Sequence, residues 1–244
     1  VKSLICWDLT DMNSTAYLER RTQLEQYFDR TAAKAWERLT SDAPVSRIRA
    51  TVRAGRDRMR QAILDMLPLD LSGRRVLDAG CGTGALATAL AARGAHVIAI
   101  DLSPTLVELA RQRAVTDDEA GSIEFLSGDM TDPRLGSFDH VVAMDSLIHY
   151  EPSDVVRVLG GIAARTTRSI VFTFAPRTPA LALMHSIGRA FPRSDRAPLI
   201  APVAEGHLRA QLVGEASLRR WRAARHALIS QGFYKSHALE LMKG

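Results

Sequence analysis

Arg75-Val76-Leu77-Asp78-Ala79-Gly80-Cys81-Gly82-Thr83-Gly84 is the stretch that decides the fold. Its first half is a short apolar run suited to a buried strand. Its second half places glycine at every other position, so the backbone can turn sharply and approach a ligand without side-chain interference. Gly84 to Arg93 then has helical spacing and stops at Gly94, and His96 to Asp101 is a second apolar run. Strand, glycine turn, helix and strand make a βαβ unit. The alternation continues outward. Ser103 followed by Pro104 supplies an N-cap and a first-turn proline for a helix to about Ala114. Ile123 to Gly128, Phe138 to Met144 and Ser169 to Phe174 read as strands, with a helix from Ser153 to Arg165 before the last. Five parallel strands are expected.

The alternation ends at Pro176. Residues 177–202 form a Pro- and Arg-containing insertion too long for a simple connection, and such insertions are often functional lids. Ile229 to Tyr234 is flanked by strand-like residues and predicts an antiparallel hairpin turning near Gly232. On the other side, Ala16 to Leu39 and Val45 to Leu67 have helical spacing, punctuated by Pro44 and Pro68. The expected organisation is an N-terminal helical arm or lid over residues 1–71 and a ligand-binding α/β domain over 72–244.

The 244 residues are 46% hydrophobic and 24% charged, an ordinary globular balance that argues against wholesale disorder. No window approaches the roughly 18 uninterrupted apolar residues of a spanning helix, and Val1 to Asp11 meets Asp8 too soon for a signal-peptide core, so an intracellular, cytoplasmic protein is expected. Cys6 and Cys81 are too few for a disulfide framework or a cysteine zinc site, and no metal cluster is evident. The net charge of +5 is unevenly spread. Residues 19–60 carry eleven Lys/Arg against six acids and residues 177–226 nine against three, whereas 72–176 carry nine against thirteen. Basic flanks around an acidic core suit a pocket for an anionic small molecule, or an anionic membrane surface. Without a basic run interleaved with aromatics they suit nucleic acid less well, and no nucleic-acid partner is expected. Solvated helix faces would give the same distribution.

Asp101 ends the second strand about 20 residues after the glycine turn, where a carboxylate accepts both hydroxyls of a ribose. Gly80-x-Gly82-x-x-Ala85 also satisfies a nicotinamide dinucleotide fingerprint, so the glycines alone leave two readings. Charge separates them. Asp78 would repel a pyrophosphate but favours the sulfonium and ammonium of S-adenosylmethionine (SAM). At the end of the third strand, Asp129 can accept from an adenine amino group while Met130 covers the ring; Asp101 and Asp129 could each instead be a strand-end cap or a solvated loop residue. The set resembles class I SAM-dependent methyltransferases. That resemblance implies a Rossmann-like α/β fold with a mostly parallel seven-stranded sheet and a C-terminal antiparallel hairpin. The expected cofactor residues are Asp78, Gly80, Cys81, Gly82, Gly84, Asp101, Leu102, Asp129, Met130 and Asp145.

A more specific resemblance lies in Met144-Asp145-Ser146-Leu147-Ile148-His149-Tyr150, which is similar to the corresponding segment of the magnesium-protoporphyrin IX O-methyltransferases of (bacterio)chlorophyll biosynthesis. Tyr27-Phe28-Asp29 with Trp36, Phe191-Pro192-Arg193-Ser194 and Gly232-Phe233-Tyr234-Lys235-Ser236 with Leu239-Glu240 agree with it. The resemblance implies methyl transfer from SAM to a propionate of Mg-protoporphyrin IX, giving the monomethyl ester and S-adenosylhomocysteine (SAH). Tyr27 and His149 match family positions associated with catalysis. A propionate is already ionised at neutral pH, so they are expected to orient it rather than to take a proton. Arg177, Arg193 and Arg196 are candidates to hold the second propionate, and Met184 and Phe191 belong to an apolar face for the macrocycle. The magnesium travels with the substrate, and no protein-bound metal is expected. The resemblance also suggests the magnesium chelatase large subunit as a partner and at most peripheral contact with a photosynthetic membrane. Another small-molecule O-methyltransferase, for instance of a quinone pathway, would share Asp78 to Asp129 but not the flanking segments. A non-catalytic porphyrin- or SAM-binding module would not need His149.

Overall fold

The computed structural model describes residues 15–29, 47–114, 121–177 and 200–244. Each short apolar run anticipated above is a strand. β1 (Arg75–Ala79), β2 (His96–Asp101), β3 (Ser122–Ser127), β4 (Phe138–Ala143) and β5 (Thr166–Phe174) lie parallel, and β6 (Trp221–Gln231) and β7 (Tyr234–Lys243) form the antiparallel hairpin. The sheet order is β3-β2-β1-β4-β5-β7-β6, with β7 antiparallel to β5. β5 starts at Thr166, earlier than the apolar run suggests, because Thr166 already pairs with Phe138, a register shift then separating that pair from His140 and Ser169.

Successive strand residues face opposite sides of the sheet, which explains why the strands read as unbroken apolar runs. Leu77, Ile98, Val141 and Ile170 pack on one face with α1 (Thr15–Tyr27), α5 (Pro152–Ala163) and α6 (Glu205–Gly214). Val76, Val97, Val142 and Val171 pack on the other with α2 (Arg47–Asp65), α3 (Ala85–Ala91) and α4 (Pro104–Arg113). Within the segment 1–71 the two described helices have different jobs. α2 is built into a sheet layer: Met59 and Ile63 are fully buried, and Gly55 lies so close to the hairpin that a Cβ there would stand 2.6 Å from the Tyr234 ring. α1 crosses the loops at the C-terminal ends of the strands, as its contacts below show.

α6 has no counterpart in the sequence reading, because Leu208 and Leu212 are its only buried residues and the stripe is too thin to stand out. The base of the insertion is closed by the amide of Arg177 donating to the Val203 carbonyl and that of Val203 to the Ala175 carbonyl, both at 2.9 Å. Residues 178–199, including Met184, Phe191, Arg193 and Arg196, lie outside the described residues, as does Trp36.

Candidate active site

The sheet order reverses direction at β1, which has β2 on one side and β4 on the other. A crevice opens at such a switch point beyond the strands' carboxyl ends. Here it is a cleft of about 660 Å³, measured to its open mouth. Gly80 and Gly82 of the first turn, Asp101 at the end of β2 with Leu102 after it, and Gly128 and Met130 after β3 form one wall. Met144, Asp145, Ser146, His149 and Tyr150 after β4 form the other, and Leu24 and Phe28 of the N-terminal segment with Arg56 of α2 cover them.

Gly80 has φ +83°, and a Cβ there would fall 2.3 Å from that of Ser146, so only glycine lets the β1 and β4 loops approach this closely. The next turn is clamped by Asp101. One carboxylate oxygen accepts the Gly82 amide at 2.9 Å and the other the Ser103 amide at 3.0 Å. Burial raises the Asp101 pKa, and these backbone donors act in the opposite direction. Asp78 lies beneath the turn rather than on the cleft wall. It is almost fully buried, Oδ2 has no hydrogen-bond partner among the described residues, and burial together with the Asp101 charge pushes its pKa up to about 7. Cys81 is a buried free thiol behind the wall, its pKa raised by burial and by Asp78 and Asp101. Gly84 caps α3 away from the cleft, against the Phe125 ring.

Asp129 is not on the cleft wall either. Its carboxylate accepts from Arg21 Nη1 at 2.9 Å, the Tyr17 hydroxyl at 3.2 Å, and the amide and hydroxyl of Thr131 at 2.8 and 2.7 Å. Any contact to an adenine amino group would have to share that carboxylate with α1. Tyr17 also stacks on Tyr150 at 5.1 Å. At the far end of the segment, Asp29 accepts from the Thr105 amide and hydroxyl at 3.2 and 2.6 Å and from the Ser103 hydroxyl at 3.3 Å, at the start of α4. Two acid-centred contacts thus pin α1 across the cleft.

Asp145 does line the cleft, in a left-handed conformation (φ +55°) uncommon for a side-chain-bearing residue. Its carboxylate takes Arg56 at 2.8 Å, the Tyr234 hydroxyl at 3.0 Å and the Ser236 hydroxyl at 3.1 Å, while its amide donates to Thr173 Oγ1 at 2.7 Å. α2, β5 and β7 therefore all hold the β4 loop, which carries His149. The His149 ring meets Phe28 edge-on at 5.8 Å, and Phe28 in turn meets Tyr27 at 5.3 Å. Tyr27 is half-buried beside the cleft rather than on its wall, and burial raises its pKa. Arg177 is exposed at the base of the insertion.

The sequence reading missed Tyr17, Arg21, Leu24 and Arg56. The first three, with Phe28, fall on one helix face at spacings of three and four, a signal that was available. Arg56 had none, being one of several similar arginines on α2.

Residues 143–243 match the family described as "Magnesium-protoporphyrin IX methyltransferase C-terminus", and residues 76–168 match a general methyltransferase domain. The magnesium-protoporphyrin O-methyltransferase of Rhodobacter capsulatus is 48% identical over 225 residues, covering 92% of this chain and 97% of that one. The chain belongs to the magnesium-protoporphyrin IX methyltransferase family. The crystal structure of the family member from Synechocystis PCC 6803 with bound SAH covers 92% of this chain and all of that one, with a TM-score of 0.79 at 29% identity. Ubiquinone biosynthesis O-methyltransferase from Xanthomonas oryzae pv. oryzae is 36% identical but over only 129 residues, half of each chain. The likeness to this family thus runs through the flanks, whereas the likeness to the quinone enzyme covers only half the chain.

Proposed function

We propose that this chain transfers a methyl group from SAM to one propionate carboxylate of Mg-protoporphyrin IX, yielding the monomethyl ester and SAH. The observation that carries the reading is the family match over residues 143–243, which take in the β4 loop with His149, the insertion and the hairpin as well as the cofactor turn's neighbours.

The residues present fit the cofactor. Gly80 leaves room at the turn, Asp101 stands at the end of β2 for a ribose, Leu102 and Met130 offer apolar surfaces for a purine, and Asp78 holds a buried, unpartnered oxygen that a nearby cation would favour in its ionised form. Bound SAM supplies an electrophilic methyl carbon, so the new O–C bond forms from a carboxylate electron pair as the S–C bond breaks onto sulfur, with no proton transferred. The protein's task is therefore alignment and exclusion of water. His149, on the cleft wall, donates a hydrogen bond that orients the acceptor carboxylate. Tyr27 acts behind it through Phe28, and Leu24 and Phe28 keep water out. Asp129 works chiefly through its hold on α1, and Asp145 through its hold on the β4 loop. Of the candidates for the second propionate, Arg177 stands at the base of the insertion, and Arg193 and Arg196 follow it in the sequence; these two, with Met184 and Phe191 as candidates for the macrocycle, lie outside the described residues and are assigned on the resemblance alone.

Two finer parts of this reading rest on the resemblance: delivery of substrate by the magnesium chelatase large subunit, and peripheral contact with a photosynthetic membrane. Among the described residues no helix is long and apolar enough to cross a membrane. A single-turnover assay with methyl-labelled SAM, run beside equilibrium binding of Mg-protoporphyrin IX, tests the central claim. Label is expected in the porphyrin ester. Transfer to a quinol instead, or porphyrin binding with no transfer at all, would replace this reading with one of the two rivals.

A further inference from the structure

The fold brings three metal-ligating side chains together outside the cleft: His226 on β6, His237 on β7 and Glu205 in the first turn of α6, with donor atoms all within 4.8 Å of one another. Leu228 pairs with His237 and His226 with Leu239, so the two histidines are diagonal neighbours on the hairpin. His226 Nδ1 stands 3.2 Å from His237 Nε2. Metal–nitrogen bonds of about 2.0–2.1 Å in a tetrahedron put two ligands about 3.4 Å apart, close to that separation. The other ring nitrogen of His237, Nδ1, faces Glu205 Oε2 at 3.5 Å. A carboxylate behind a ligating histidine fixes its tautomer and turns the bare nitrogen toward the ion. Ring rotation is restrained as well, since His237 is nearly buried and stacks on Phe174 at 4.9 Å. His226 is exposed, so an ion can reach the pair from solvent.

We propose that His226 and His237, backed by Glu205, bind one divalent transition-metal ion of the zinc class, with water completing its coordination. Paired imidazoles with a carboxylate select such ions over magnesium or calcium, which prefer oxygen donors. The ion would take the place of the proton between the two nitrogens, that proton moving from His226 Nδ1 to its Nε2. Its structural effect follows from where Glu205 sits, two residues after the Val203 contact that closes the insertion. The ion would fix the His237 ring on the hairpin, and through the contact of its Nδ1 with Glu205 it would steady the start of α6 where the insertion ends. The charged groups facing the pair are Glu205 and Arg209, whose Nε holds the second Glu205 oxygen at 2.8 Å. Burial lowers the His237 pKa, Glu205 opposes this, and His226 and Arg209 add to it.

The test is calorimetric titration of the tag-free, chelator-stripped full chain with Zn²⁺ at pH 7.5, with thermal unfolding alongside. One saturable site is expected, with an unfolding midpoint raised by the ion and affinity falling as pH is lowered, because protons compete with the ion for the ligand nitrogens. His226→Gln, at an exposed position that keeps the fold, should weaken binding at least ~100-fold. Glu205→Gln should weaken it ~10- to 100-fold. His207→Gln, exposed on α6 outside the cluster, should leave it unchanged. Absence of stoichiometric binding, equal affinity in His226→Gln, or an equal loss in His207→Gln would overturn the site. SAM affinity reports separately on the methyltransferase reading, and it should be the same in all of these variants.

Discussion

His149 stands where the β4 loop turns into the cleft, and its assigned work is to donate a hydrogen bond to a carboxylate that is already ionised. Losing one positioning donor typically costs ~10- to 1,000-fold in rate, so His149→Ala should lower kcat by that order with cofactor affinity nearly unchanged. His149→Gln should recover part of the loss, and the wild-type single-turnover rate should show no acid limb near an ordinary histidine pKa of about 6.5. Equal rates for both variants and the wild type would make the residue structural. Asp78 gives a different signature. Its folded-state pKa of about 7 lies above the ordinary value of 3.8, so its contribution to stability is full below about pH 4 and is lost as pH rises through about 7. Asp78→Asn should remove this dependence and make the ligand-free protein more stable at pH 8, by up to about 4 kcal/mol. A cation bound nearby favours the ionised carboxylate, so SAM binding near pH 7 should release protons from the wild type and not from Asp78→Asn. Calorimetry in two buffers of different ionisation enthalpy measures this directly.

At the scale of elements, α1 is the piece whose attachment is polar at both ends and apolar between. Tyr17 and Leu24 are buried, while Arg21–Asp129 and the Asp29 contacts lie in partly exposed surroundings. A partly exposed ion pair such as Arg21–Asp129 contributes only about 0–1 kcal/mol, and hydrogen bonds such as those to Asp29 are of the same order. The double variant Arg21→Ala/Asp29→Ala should therefore keep its unfolding midpoint within a few degrees, yet loosen α1 over the cleft. Faster hydrogen exchange across residues 15–29 and a several-fold faster release of SAM are the expected readouts. Unchanged exchange would show that Tyr17 and Leu24 hold the helix unaided. The element was legible as a helix, but its role was not: its side chains act on Asp129 and Ser103, 112 and 74 positions away from Tyr17 and Asp29 respectively.

For the molecule as a whole, the hairpin is both the sheet's last partner and part of the site's support. Truncation after residue 219 would leave β5 as a bare edge and strip Tyr234 and Ser236 from Asp145. Long unpaired apolar edges drive aggregation, so the truncated chain should be recovered as insoluble protein or bind no SAM; a soluble, SAM-binding product would show the hairpin to be dispensable. What the sequence determined by itself was the architecture and the cofactor turn, because strand runs, the Gly80–Gly84 spacing and Asp101 are local patterns read over a few residues. Gly232 marked the hairpin for the same reason. The tertiary structure alone decided which carboxylates meet which cations. Asp129 and Asp145 are both expected at the cofactor, yet one is taken by α1 and the other by α2 and β7, since long-range pairing depends on how layers stack rather than on spacing. It also decided that Glu205, His226 and His237 converge, although no short motif joins them, because an antiparallel register and a thinly amphipathic helix place side chains that the chain itself keeps up to 32 residues apart.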